Sequence, residues 1–206
     1  MEEFLTWFNP ENIVATGGVV MVAIIIYLES GVFFGFFLPG DSLLFTTGLL
    51  SGTGLIRMPV EWTLIILTLA AFFGFITGYF SGKWFLRSRI YVDERYFFRK
   101  KYFSRAAAFL RLHKGSAFII ARFIPLIRTF LPILAGATQM KMREFLIYNI
   151  LGSIVWVVLI VLSGYYLGRF NPSLLYSLEW IVIALIVITA YPIVKMLIRK
   201  RAIRIK

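Results

Sequence analysis

The sequence predicts an all-α, polytopic membrane protein, and three observations predict it. The 206-residue chain is 60% hydrophobic and 17% aromatic, whereas a soluble domain is about half apolar. Several apolar runs approach the roughly 20 residues that a bilayer span requires. The basic residues gather beside those runs: ten Lys/Arg fall within residues 83–114, against only Asp93 and Glu94, and six more within 195–206. This is the positive-inside pattern, with anionic lipid headgroups as the natural partner. It turns the net charge of +12 away from a nucleic-acid partner. No cleavable signal peptide is expected, because the first dozen residues, MEEFLTWFNPEN, carry acids and no Lys or Arg. Zero cysteines exclude disulfides and thiolate metal sites.

Taken in order, the chain opens with an aromatic-rich interfacial lead-in, 4–11, that ends at Asn9-Pro10. Residues 13–28 form an apolar run of marginal spanning length. It flows into a broken segment, 29–52, which carries Glu29 and Asp41 and is interrupted by Pro39-Gly40. That pair removes a backbone donor and permits unusual φ, so no continuous helix is expected through it. After a short loop, 53–61, comes a clean span, 62–82, with Trp62 and Trp84 as interface anchors. Its Gly74, Gly78 and Gly82 recur every four residues, a small-residue face suited to close helix contact. Residues 83–115 form a basic loop, expected to hold a surface helix over about 93–112 whose charges lie nearly all round. A second broken segment, 116–138, carries Arg122 and Arg128 and is interrupted by Pro125 and Pro132. A span at 144–168, a turn at Asn171-Pro172-Ser173, a last span at 178–197 and a basic tail, 198–206, complete a single membrane domain with about four spanning helices.

Charge placement sets the topology. If the basic loop and the C-terminal tail are both cytoplasmic, segment 116–138 begins and ends on that side, so it enters the bilayer and returns. The same counting makes 53–61 external; if 13–28 crosses, 29–52 dips in from outside. An internal repeat supports two facing re-entrant hairpins. Gly78-Tyr79-Phe80-Ser81-Gly82-Lys83 matches Gly164-Tyr165-Tyr166-Leu167-Gly168-Arg169 at an offset of 86, and the same offset lays Pro39 on Pro125. The repeats, about 13–83 and 94–169, then run in opposite directions, an arrangement common in transporters with broken helices and a midplane site.

An ionisable side chain deep in a bilayer is costly unless paired or hydrated. Glu29 and Asp41 against Arg122 and Arg128 make a neutral set if the two hairpins meet at their tips. Irregular backbone at that depth implies a polar cavity around it. Arginine grips phosphate through a fixed planar fork, and carboxylates in a partly dry site take up protons near neutrality. The set therefore suits proton-coupled movement of an anionic headgroup. One alternative is a pair of structural salt bridges pinning the hairpins; another, for Glu29 alone, is a solvated acid at the interface. His113, the single histidine, lies in the basic loop and is expected to be solvated. Glu144 and Glu179 begin spans, where helix N-termini favour acids. No metal site, cofactor or enzymatic arrangement of Ser, His and Asp is expected.

At these residues the chain resembles the DedA family, bacterial relatives of the VTT-domain lipid scramblases. The resemblance covers about residues 20–170. It rests on Glu29 followed twelve residues later by Asp41 within Leu38-Pro39-Gly40-Asp41, on Gly78-Tyr79-x-x-Gly82, and on the run Arg122-Phe-Ile-Pro125-x-x-Arg128-Thr-Phe-x-Pro132-x-x-Ala-Gly136. The resemblance implies lipid translocation in the cytoplasmic membrane, notably of undecaprenyl phosphate, dependent on the proton motive force. It implies that the acids and arginines at these positions are the functional set, so Arg122 and Arg128 are the expected phosphate-binding residues and Glu29 and Asp41 the expected titrating acids. The expected partners are an anionic lipid (polyprenyl phosphate or phospholipid) and protons, with the oligomeric state left open. Uncoupled scrambling of phosphatidylethanolamine, and a proton-dependent exporter or structural membrane protein, are the alternatives.

Overall fold

The computed structural model describes residues 10–31, 39–87 and 118–171, and all regular structure among them is helical. The elements are α1 (Pro10–Gly31), α2 (Gly40–Gly52), α3 (Val60–Arg87), α4 (Pro125–Ala137) and α5 (Met142–Phe170). The aromatic residues of the lead-in, the surface helix 93–112 with His113, Glu179, the last span and the basic tail lie outside the described residues.

Among the described residues, the two long helices are the candidate spans. α3 has 28 residues and α5 has 29, about 42 and 44 Å at 1.5 Å per residue, against a hydrocarbon core of about 30 Å. Val60–Trp84 and Met142–Phe170 are apolar enough to cross a membrane. Trp62 and Trp84 stand exposed near the two ends of α3, as interface anchors do. α5 carries Glu144 in its first turn and Arg169 in its last, each charge opposing the helix dipole at its own end. The interior is apolar with charged and amide groups set into it, and large apolar side chains also face outward. Arg122, Arg128, Glu29 and Asn149 are buried, while Ile65, Phe73, Ile147 and Leu159 are exposed, which suits a surface bathed in lipid.

The short helices are set by proline. α2 and α4 have 13 residues each, about 20 Å. Pro39 caps α2 with φ −83° and ψ 54°, and the amide of Leu43 returns to its carbonyl at 2.9 Å. Ahead of α4, a helical stretch at 118–121 tightens: the amides of Phe123 and Ile124 reach carbonyls three residues back, both at 3.1 Å. Ile124 is extended, with φ −115° and ψ 105°, as the residue before proline prefers, and Pro125 then opens the new helix, where its missing N–H costs nothing.

Three expectations change. Pro132 does not break the chain: α4 continues through it, and its buried ring packs against Gly78 of α3, 3.0 Å from where a Cβ there would stand. Interior proline costs about 3 kcal/mol, and packing against a neighbouring helix offsets that inside a membrane protein. Second, the run 13–28 is interrupted at Gly18, whose φ of 59° and ψ of −162° suit only glycine; the apolar piece Gly18–Gly31 is short of spanning length. Third, Glu29 belongs to the last turn of α1 rather than to the break that follows.

The chain divides into two compact units, residues 1–22, 39–63 and 160–206 in one and 23–38 and 64–159 in the other. In the first, Gly48 and Gly52 of α2 lie on the carbonyls of Val161 and Tyr165, and Gly164 and Gly168 of α5 lie on those of Phe45 and Leu49. In the second, Gly136 of α4 lies on the carbonyl of Tyr79, and Gly82 of α3 on that of Ile133. The end of α1 joins this unit where Gly31 meets Gly74. The Tyr79 hydroxyl donates to the Met140 carbonyl at 2.6 Å, and its ring packs on Phe145 with centroids 4.6 Å apart. The glycine pairs 78/82 and 164/168 thus each receive a 13-residue helix. In each case that helix comes from the other half of the chain.

A side chain at these contacts would enter a backbone carbonyl, which has nowhere to go. Gly82→Val and Gly136→Val are each expected to cost about 1–3 kcal/mol through overpacking. For a chain of this size that lowers the melting temperature by about 2–4 °C per kcal/mol, read by thermal unfolding in detergent.

Candidate functional site

The site is assembled in the second unit from the break before α4. Because the helix stops at 122–124 and restarts at Pro125, Arg122 lies in the break itself and Arg128 one turn into α4, with its amide on the Ile124 carbonyl at 2.9 Å. Both are buried, at 0% and 1% exposure. Their surroundings differ.

Arg128 is charge-compensated. Its Nη2 donates to Oε1 of Glu29, on α1, in a buried ion pair. Glu29 is 1% exposed, so it is not a solvated interfacial acid, and its Oε2 has no hydrogen-bond partner among the described residues. The Arg128 guanidinium also lies over the Trp156 ring of α5, 4.7 Å from its centre.

Arg122 is held by neutral groups. Its Nη2 donates to Oδ1 of Asn149 on α5 at 2.6 Å and to the Asn149 carbonyl at 3.3 Å. The guanidinium lies over the Phe75 ring of α3 at 3.8 Å. Its Nε and Nη1 have no hydrogen-bond partner among the described residues. Gly152 leaves room for it: a Cβ there would come within 2.9 Å of Nε. A hydrogen bond to a charged group contributes about 1.5–3 kcal/mol and a desolvated cation–π contact about 2. Burying an ion costs several kcal/mol, so these contacts offset the cost in part and leave Arg122 suited to an incoming anion.

Of the four charged residues singled out from sequence, Glu29 and Arg128 are brought together and Arg122 lies in the same unit. Asp41 is half-buried in the first turn of α2, in the other unit, at the end of the helix where the dipole favours an acid. Sequence reasoning missed Asn149, Phe75 and Trp156. Asn149 carried a signal: it is an amide within an otherwise apolar span, with Ser153 one turn on donating to its carbonyl at 2.9 Å.

Apolar helices long enough to span, with ionisable residues buried among them, define a helical membrane protein. The VTT domain family model matches residues 38–166, and the chain belongs to the DedA family. It is 33% identical over 195 residues to Protein DedA of Escherichia coli (strain K12), covering 93% of this chain and 89% of that protein. It is 31% identical over 186 residues to the membrane protein Rv0364 of Mycobacterium tuberculosis, covering 90% and 81%. With the inner membrane protein YqjA of Escherichia coli (strain K12) it shares 34% over 176 residues, covering 85% and 78%. No solved structure matches the chain.

Breaking the ion pair strands a buried charge. Glu29→Gln and Arg128→Met are each expected to destabilise by about 3–5 kcal/mol, and the double substitution to recover part of that loss. The coupling is read from melting temperatures around the double-mutant cycle.

Proposed function

We propose that the protein translocates a lipid with an anionic phosphate headgroup, most concretely undecaprenyl phosphate, across the cytoplasmic membrane in exchange for protons. Arg122 and Arg128 receive the phosphate, and Glu29 and Asp41 exchange protons. The observation that carries this reading is the pair of fully buried guanidiniums, one neutralised by Glu29 and the other held, among the described residues, by neutral groups. A phosphate entering at Arg122 extends to Arg128 and displaces Glu29. The freed carboxylate, buried and without a cation, takes up a proton, and the return of the ion pair expels it. The lipid tail stays in the bilayer throughout.

In this mechanism the segments 29–52 and 116–138 are re-entrant hairpins entering from opposite leaflets, with the basic loop 83–115 and the C-terminus cytoplasmic. The 13-residue length of α2 and α4 supports re-entry, since neither reaches across about 30 Å. Membership of the DedA family supports a membrane transport role.

The test is reconstitution of the purified protein into vesicles, following headgroup movement with and without an imposed pH gradient. The expected result is movement that accelerates with the gradient and falls at least about tenfold in Arg122→Lys and Arg128→Lys, because lysine keeps the charge but lacks the fork. Equal rates with and without the gradient would mark uncoupled scrambling, and unimpaired lysine variants would sink phosphate gripping.

A further inference from the structure

The two arginines differ in what holds them, and that difference assigns a role to Asn149. We propose that Asn149 is a positioning residue that presents Arg122 with its positive charge uncancelled, making Arg122 the first acceptor of the lipid phosphate; this rests on the translocation reading above.

The amide of Asn149 is fixed at both ends. Its Nδ2 donates to the Phe72 carbonyl at 3.0 Å, and a carbonyl only accepts, so Oδ1 must be the atom turned to Arg122. There it accepts from Nη2 at 2.6 Å, while the Asn149 carbonyl accepts from the same nitrogen at 3.3 Å. One nitrogen of the guanidinium is thereby anchored, and the buried Nε and Nη1 carry no acceptor among the described residues. Phe75 supports the face of the guanidinium, and Gly152 keeps the flank beside Nε clear of a side chain. A carboxylate at position 149 would also hold Arg122, but it would cancel the charge and turn an acceptor toward the Phe72 carbonyl. A neutral amide orients the cation and leaves its field for an oxyanion. Arg128, already paired with Glu29, engages only once that acid is displaced.

The substitution that tests this role is Asn149→Asp, which keeps the shape, adds a charge and exchanges the Nδ2 donor for an acceptor. Wild type and variant are purified in detergent and melted with and without a polyprenyl monophosphate or phosphatidylglycerol. Both are then placed in phosphatidylcholine vesicles doped with the same lipids. Wild type is expected to be stabilised by the anionic lipids and to move them. In Asn149→Asp the new ion pair with Arg122 is expected to offset the lost donor to the Phe72 carbonyl, so that the variant melts within a few degrees of wild type without lipid, yet loses at least about tenfold in lipid-dependent stabilisation and movement. A merely structural hydrogen bond would lower stability and function together, or leave both intact, and either result overturns the proposal. If Asn149→Asp does not fold, Arg122→Gln decides: the lipid response should vanish with no fall in melting temperature, and a preserved response overturns the inference. Loss of the response in Arg128→Lys alone, with position 149 and 122 variants unaffected, would sink the role of Asn149 and spare the translocation reading. A wild type that ignores both lipids takes both down.

Discussion

A guanidinium that is dry must be answered by something, and this requirement organises the second unit. Three elements converge to answer Arg128 and Arg122: the end of α1 brings Glu29, α3 brings the Phe75 ring, and α5 brings Asn149 and Trp156. Coulomb attraction in a low dielectric is strong, but desolvation of the partners is stronger still unless geometry is favourable. A chain that keeps two such cations in an apolar interior therefore spends stability on them. A purely structural core of the same volume would be built from leucine and phenylalanine.

The backbone bears the complementary constraint. Bringing side chains from α1, α3 and α5 onto one pair of cations requires α4 to lie close to α3, and the glycines at 82 and 136 let the two helices approach until carbonyls occupy the space of side chains. Without water to drive apolar surfaces together, such approach is what gives membrane helices their dispersion contacts. The aromatic packing of Phe118, Phe145 and Tyr79 fills the remainder and ties the start of the broken segment to α5.

Much of this is legible in the residues, and the failures have physical causes. The breaks at Pro39 and Pro125 are visible because proline removes an N–H and restricts its predecessor, which acts locally. Pro132 reads identically but sits where a neighbouring helix can hold it, and sequence does not display neighbours. The kink at Gly18 is hidden for a related reason: glycine permits a positive φ without demanding one. The charged residues announce themselves by their cost in an apolar run. How Arg122 is answered was not legible, because Asn149 looks like any tolerated amide until Phe72 and Arg122 are seen on either side of it.

The exchange of short helices between halves has a consequence for how the chain is made. α2 leaves the ribosome roughly a hundred residues before the part of α5 on which it packs, a delay of about 5–20 s at ordinary rates of elongation. During that interval Gly48 and Gly52 have no partner helix, and the first half of the chain holds a backbone surface that only the second half can cover. The seating of α2 therefore waits on the closing segment, and a nascent chain halted midway lacks the helix on which Gly48 and Gly52 pack.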